Sequence, residues 1–283
     1  MADGRTTAGA HRRSGEAGTP AALVESERRD GTTQVLTLAR PETRNALSRA
    51  MLAALQNAVD AAAADPGVRA VVIAGRGRAF SAGHDLRELT EHRSDADGGR
   101  AFTERLMRAC SQLMLSLVRC PKPVIAAVEG VAAAAGCQLV ATCDLAVASE
   151  AAQFSTPGVN IGLFCSTPMV ALSRNLPRKR AMEMLLVGDR LSAREASEYG
   201  LVNRVVPPGA ALEAALELGR TVATKPPFIS ALGKQAYYRQ LEMGLAEAYD
   251  YASRVMVENM MHAEAKEGIG AFLDKRAPDW DKT

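Results

Sequence analysis

The chain has 283 residues, 47% of them hydrophobic, 23% charged and 4% aromatic, with a formal net charge of +2. That length allows one large domain or two smaller ones and a sizeable core. With 34 basic against 32 acidic residues, it lacks the cationic surplus that binding to nucleic-acid phosphates draws on.

Cys110, Cys120, Cys137, Cys143 and Cys165 form an odd set with no C-x-x-C pair and no histidines at metal-ligand spacing. This pattern points to reduced thiols in a cytoplasmic compartment and to no bound metal. Residues 1–21 have no apolar h-region and read as a disordered tail rather than a secretory signal. Their Arg, Ser and Thr content is faintly transit-like, but Asp3 and Glu16 weigh against that. The most apolar stretch, Pro123 to Ser149, is interrupted by Glu129, Gln138 and Asp144 and divided by Gly130 and Gly136, so it reads as buried α/β core and not as a membrane span.

In chain order, Thr33 to Leu38 alternates like a strand, Pro41 to Asn45 is a turn, and Leu47 to Ala64 carries Leu52, Leu55 and Val59 at helical spacing. Arg69 to Ala74 is a β-branched apolar strand. Phe102 to Val118 is a helix through Leu106, Cys110, Leu113 and Leu117. Pro123 to Val128 and Leu145 to Ala148 are further strands, with the small residues Ala132 to Thr142 predicted as a helix between them. Parallel strands with helical connections follow from this order.

Beyond Thr167 the pattern turns helical: Met182 to Val187, Ser192 to Tyr199 with Ser192 and Glu195 at capping-box spacing, Leu212 to Ala223, and Ile229 to Leu273. Breaks or bends in the last stretch are expected at Met243-Gly244 and at Glu267 to Gly270. Its apolar excess predicts packing against another subunit. The division is a tail (1–21), an α/β core (22–210) and a helical C-terminal module (211–283).

Three segments carry the chemistry. Arg78-Ala-Phe-Ser-Ala-Gly-His-Asp-Leu-Arg87 follows a strand, and its Ala82 and Gly83 bring the backbone close to a ligand, freeing the N–H of His84. In Glu129-Gly-Val-Ala-Ala-Ala-Ala-Gly-Cys-Gln-Leu139 a helix begins after a strand, so the N–H near Ala135 sits at the positive end of the helix dipole. Two such donors would form an oxyanion hole. Phe154 to Pro168 is a polar, Gly/Pro-punctuated loop able to present side chains to a reacting carbon.

With these segments in view, the sequence from Val24 to Trp280 resembles the crotonase (enoyl-CoA hydratase/isomerase) family. The resemblance rests on the order and spacing of Arg40-Pro-x-x-x-Asn-Ala-Leu47, Phe80-Ser-Ala-Gly-x-Asp-Leu86, the Ala-Ala-Gly-Cys-Gln segment followed by Cys143-Asp144, and Ala181 to Asp189. It is similar to a branch of that family, the enoyl-CoA hydratase domain-containing proteins, several of them mitochondrial, which makes the mitochondrial matrix the alternative compartment. The resemblance implies an α/β fold of the ClpP/crotonase type, a spiral of ββα units whose C-terminal helices build a homotrimer or dimer of trimers. It also implies an acyl-CoA substrate, no further cofactor, and a thioester oxygen held by the N–H groups of His84 and Ala135. Contacts to coenzyme A fall on Arg44, Ala46, Ala82, Asp85 and Leu86, with Lys275 or Arg276 meeting its phosphates.

Hydratases of the family use two glutamates to position water and move its proton, and those positions here are Gln138 and Gly158. Gln exchanges no proton near neutrality and Gly has no side chain, so the paired-carboxylate machinery is absent. Each positioned acid or base is worth about 10²- to 10⁴-fold in rate. Classical hydration is therefore expected to be slow or absent, leaving either enolate chemistry with another proton relay or a catalytically silent acyl-CoA-binding protein of fatty-acid metabolism. Ala135 stands where most relatives have glycine, which is acceptable if its φ is negative.

Ser166 falls where a dehalogenase branch places its nucleophilic carboxylate, making Cys165 and Ser166 candidate nucleophiles. No His or Lys in the sequence pairs with them, which favours packing or capping of the helix starting near Pro168. The His84 imidazole is either an acid–base group or a solvated rim residue, and Gln138 either holds water or acyl chain or satisfies buried backbone. Asp144 reads as a structural hydrogen bond or cap. His11, His92 and His262 read as surface residues.

Overall fold

The computed structural model describes residues 22–280. The expected disordered tail, and His11 within it, lie outside the described residues. The chain runs β1 (Val24–Arg29), β2 (Thr33–Leu38), α1 (Arg49–Ala64), β3 (Ala70–Gly75), β4 (Ala79–Ser81), α2 (Leu86–Glu91), α3 (Arg100–Arg119), β5 (Val124–Val128), β6 (Val131–Ala133) and α4 (Ala135–Thr142). It continues through β7 (Leu145–Ser149), β8 (Gln153–Ser155), a 3₁₀ turn (Pro157–Ile161), α5 (Pro168–Asn175), α6 (Arg178–Val187), β9 (Leu191–Ser192), α7 (Ala193–Glu198), β10 (Arg204–Val206), α8 (Ala211–Ala223), α9 (Pro227–Gln240), α10 (Leu245–Met261) and α11 (Ala263–Leu273).

Two sheets form, in the orders β1-β2-β3-β5-β7-β10 and β4-β6-β8-β9. Only the β1–β2 and β8–β9 pairings are antiparallel. Each turn of the spiral leaves one strand in each sheet: β3 then β4, β5 then β6, β7 then β8. The central strands β3 and β5 are apolar and buried along nearly their whole length because helices cover both faces of the large sheet. One face packs on α1 and α3, with Leu52, Leu55, Leu106 and Leu113 in the main core. The other packs on α8 through Val72, Ile125, Ala215 and Leu216.

The periodicity of α1 and α3 carries through, and Ser48 caps α1 by accepting from the Met51 N–H at 3.2 Å. Ser192 and Glu195 form the expected capping box on α7. Ala132 to Thr142 departs from the single predicted helix. Val131–Ala133 is strand, laddered to β4 and β8, and α4 starts only at Ala135. The long C-terminal helix divides after Gln240 and at His262, but α11 runs unbroken through Gly268 and Gly270. Gly268 there admits the ring of Trp280, which would lie 3.1 Å from an added Cβ, so close approach explains this glycine better than a bend.

Candidate functional site

The motif Arg40 to Leu47 and the loop Ala79 to Gly83 are held together by Asn45, which is fully buried in a left-handed conformation (φ 53°). Its Nδ2 donates to the carbonyls of Ala79 at 2.8 Å and Arg76 at 3.0 Å, and its Oδ1 accepts from the Arg40 N–H at 2.9 Å. Ser81 Oγ donates back to Asn45 O at 2.9 Å, Ala82 N–H donates to Arg44 O, and Leu47 N–H donates to Gly83 O at 2.7 Å. These bonds fix the loop from which the His84 amide projects. The sequence marked Asn45 as part of a motif, but its role as a latch needed the fold.

Gly83 (φ +89°) sits against the start of α4. A Cβ there would lie 3.1 Å from Ala135 N and 2.9 Å from the Ala134 methyl. The approach brings His84 N–H, on the next residue, beside Ala135 N–H. Neither group has an acceptor among the described residues. Ala135 is absent from the residues with positive φ, so alanine is acceptable there. The unusual backbone belongs to Ala134 instead, at φ 48° and ψ −118°. Ala134 is tied down by its N–H to Ser155 O at 2.9 Å and by its carbonyl, which accepts from Gln138 N–H at 3.0 Å.

Two cavities lie near the pair, and neither is lined by His84 or Ala135 themselves. A cleft of about 1220 Å³ is lined by Arg44, Arg78, Ala82, Ala133, Pro157 and Asp189 among others. Ala82 and Ala133 each stand two residues before a donor, so the cleft floor leads to the pair. Arg44 and Arg78 have no ion-pair partner among the described residues. Arg78 lines the same cleft as Arg44, a placement that its motif alone does not give. A second cavity, of about 790 Å³, meets α4 at Gln138, Ala141 and Thr142 and runs beneath α9.

Asp85 caps α2, its Oδ1 accepting from Arg87 N–H at 2.9 Å, while Leu86 is half exposed and Ala46 half-buried. Lys275 and Arg276 follow α11 and do not line either cavity; Arg276 is paired with Glu267 at 2.6 Å.

His84 Nδ1 lies 3.2 Å from Leu47 O. A carbonyl only accepts, so Nδ1 carries the proton and Nε2 is left as a buried lone pair with no partner. Burial lowers the imidazole below its ordinary value, outweighing the Leu47 hydrogen bond and the Glu88 charge, so the ring is neutral near pH 7. Gln138, only 4% exposed, also has a buried Oε1 with no donor.

At position 158 a Cβ would stand 2.8 Å from Leu163 O and 2.9 Å from Cys165 Sγ. Burial raises the Cys165 thiol pKa, and Ser166 Oγ donates to Phe164 O at 3.3 Å. Ser166 does not cap α5: the cap position is Thr167, without a side-chain bond, and Pro168 is at the first helical position. The His92 and His262 rings are not simply solvated, since they stack on Phe102 at 3.7 Å and on Phe228 at 3.8 Å. Asp144 is structural as expected, through a buried ion pair with Lys234 at 2.6 Å. No group of His, Cys, Asp and Glu among the described residues could hold a metal ion.

Together these features define a spiral α/β protein with two neighbouring backbone donors that have no acceptor among the described residues. Residues 28–283 match the family described as enoyl-CoA hydratase/isomerase. The chain is 45% identical over 276 residues to human "Enoyl-CoA hydratase domain-containing protein 3, mitochondrial", covering 98% of this chain and 88% of that protein. It is also similar to the crystal structure of an enoyl-CoA hydratase from Mycobacterium smegmatis, at 49% identity and a TM-score of 0.86 over 92% of this chain and 99% of that one. The human domain-containing protein 3 structure matches at 43% identity and a TM-score of 0.86, over 91% and 100% of the two chains. The chain therefore belongs to the enoyl-CoA hydratase/isomerase (crotonase) family and has the crotonase fold.

Proposed function

We propose that this chain binds an acyl-CoA thioester with its carbonyl oxygen between the N–H groups of His84 and Ala135, and that these donors stabilise the enolate or oxyanion formed there. The observation that carries this reading is the donor pair itself, held without acceptors among the described residues where Gly83 meets α4. A donor aimed at developing charge is worth about 10²- to 10³-fold in rate. The cleft with Arg44 and Arg78 receives the coenzyme A phosphates and pantetheine; the cavity at Gln138 receives the acyl group.

Hydration by two carboxylates is not part of the proposal. Gln138 cannot move a proton, and position 158 has neither a side chain nor the space for one. The reactions left to the site are those needing thioester polarisation and an enolate, with proton movement from a group such as the His84 imidazole. A second reading, a catalytically silent acyl-CoA binder of fatty-acid metabolism, draws on the raised Cys165 thiol and on Ser166 being engaged with Phe164 O.

Exposed apolar residues on the 161–187 segment (Ile161, Leu163, Phe164, Leu186) and on the C-terminal helices (Leu245, Tyr249, Met261, Phe272) supply the surface for a homotrimer or dimer of trimers. The compartment is reducing, cytoplasm or mitochondrial matrix, and the relatives named mitochondrial favour the matrix. Among the described residues no helix is long and apolar enough to cross a membrane.

The test combines two measurements on one preparation: exchange of the α-protons of butyryl-CoA in heavy water by NMR, and loss of the enoyl absorbance of crotonyl-CoA. Exchange with little hydration is the expected result. Binding without exchange leaves the silent binder, and absence of binding by any acyl-CoA overturns both readings.

A further inference from the structure

The cavity beneath α9 is not built for a bare alkyl chain. Its wall combines Met114, Val118 and Leu241 with Gln138, Arg119 and Arg174, so its apolar surface is broken by groups that need polar partners. Gln138 Oε1, buried and without a donor, opens it one helical turn beyond Ala135. At the far end most charges are already met. Asp144 is paired with Lys234 at 2.6 Å, Glu242 with Arg174 at 3.2 Å, and Arg239 lies 4.8 Å over the Tyr251 ring. Arg119, the last residue of α3, has no acceptor among the described residues and leaves the lining with a positive charge.

We infer that this cavity selects an acyl chain carrying a carboxylate at its far end, held by Arg119. The inference rests on the acyl-CoA reading above and names the substrate class of that site. Its length follows from the fold. Lys234 Nζ bonds both Leu117 O and Asp144, which places the C-terminal end of α3 beside the C-terminal end of α4. The eight residues of α4 separate that end from the donor pair by about 12 Å at about 1.5 Å per residue. An extended chain advances about 1.2 Å per bond, so about eight to ten carbons reach from thioester to guanidinium. An uncharged tail of that length would cover the buried Gln138 Oε1 with nothing in return, whereas a carboxylate gains a charge-assisted bond to Arg119, which is solvent-exposed and so screened.

The experiment is calorimetric titration of the full chain with suberyl-CoA and sebacyl-CoA against octanoyl-CoA and decanoyl-CoA, with butyryl-CoA as the reference ligand, repeated on Arg119→Gln and Arg119→Lys. The carboxylated ligands are expected to bind about five- to tenfold tighter than their uncharged counterparts. That ratio should fall to about one in Arg119→Gln and persist in part in Arg119→Lys. Equal or tighter binding of octanoyl-CoA and decanoyl-CoA overturns the inference while butyryl-CoA binding upholds the acyl-CoA reading, as does a ratio that survives Arg119→Gln. Failure of every thioester to bind, butyryl-CoA included, overturns both.

Discussion

Cys165 Sγ lies 2.9 Å from where a Cβ on Gly158 would stand, with Leu163 O at 2.8 Å on the same side. Position 158 is therefore closed as well as empty, with the 163–165 segment occupying the space a side chain would need. Gly158→Glu should destabilise the chain by about 1–3 kcal/mol, the usual cost of overpacking, and should confer no crotonyl-CoA hydration even beside Gln138→Glu. Adding Cys165→Gly should recover part of the lost stability. A thermodynamic cycle from thermal unfolding reads this coupling, and additive effects of the two changes would contradict it.

Asn45 joins the 40–47 segment to the 76–83 stretch that leads to His84. Asn45→Ala strands the buried Ala79 carbonyl, at a cost of about 1–3 kcal/mol, and frees the loop ending at Gly83. Denaturant unfolding and butyryl-CoA titration should show stability and affinity falling together. A loss of stability with affinity unchanged would remove Asn45 from the site's support.

The Lys234–Asp144 pair, 7% and 16% exposed at the side chains, fastens α9 to the core, and Asp144 also accepts from Val124 N–H at 2.7 Å and Tyr238 OH at 2.8 Å. Burial and the Asp144 charge raise the Tyr238 pKa, keeping its hydroxyl a donor. Lys234→Met leaves a buried carboxylate short of its cation and should cost about 3–5 kcal/mol. Hydrogen exchange should show α9 opening first; uniform destabilisation would argue against a local fastening.

His84 gives the pH dependence. Its folded pKa lies below the ordinary value of 6.5, so the unfolded chain binds the proton more readily. Its contribution to stability is complete above that value and is lost as pH falls through the folded pKa. Melting curves from neutral to mildly acidic pH should decline more for the native chain than for His84→Asn. Parallel curves would show that the ring is not desolvated in solution.

Ala134 occupies backbone space that suits glycine. Relief of strain, about 1–3 kcal/mol for such a residue, outweighs the roughly 0.5–1 kcal/mol of added chain entropy. Ala134→Gly should therefore raise the melting temperature slightly, and a lowered one would mean the turn is unstrained.

Sequence alone determined the elements whose signal is local. Leu52, Leu55 and Val59 recur on one face and give α1, Ser192 and Glu195 form a cap within four residues, and the four ordered motifs give the family. It also determined that Gln138 and Gly158 are not carboxylates, since identity needs no coordinates. Short strands such as β6 and β8 escaped because their three residues acquire strand character only from neighbours in the second sheet. Asn45 reaching Ala79, Lys234 reaching Asp144 and Cys165 closing over Gly158 were decided by tertiary structure alone. Each depends on where separate segments stop against one another, and that is set by packing in a dense interior, which no local pattern encodes.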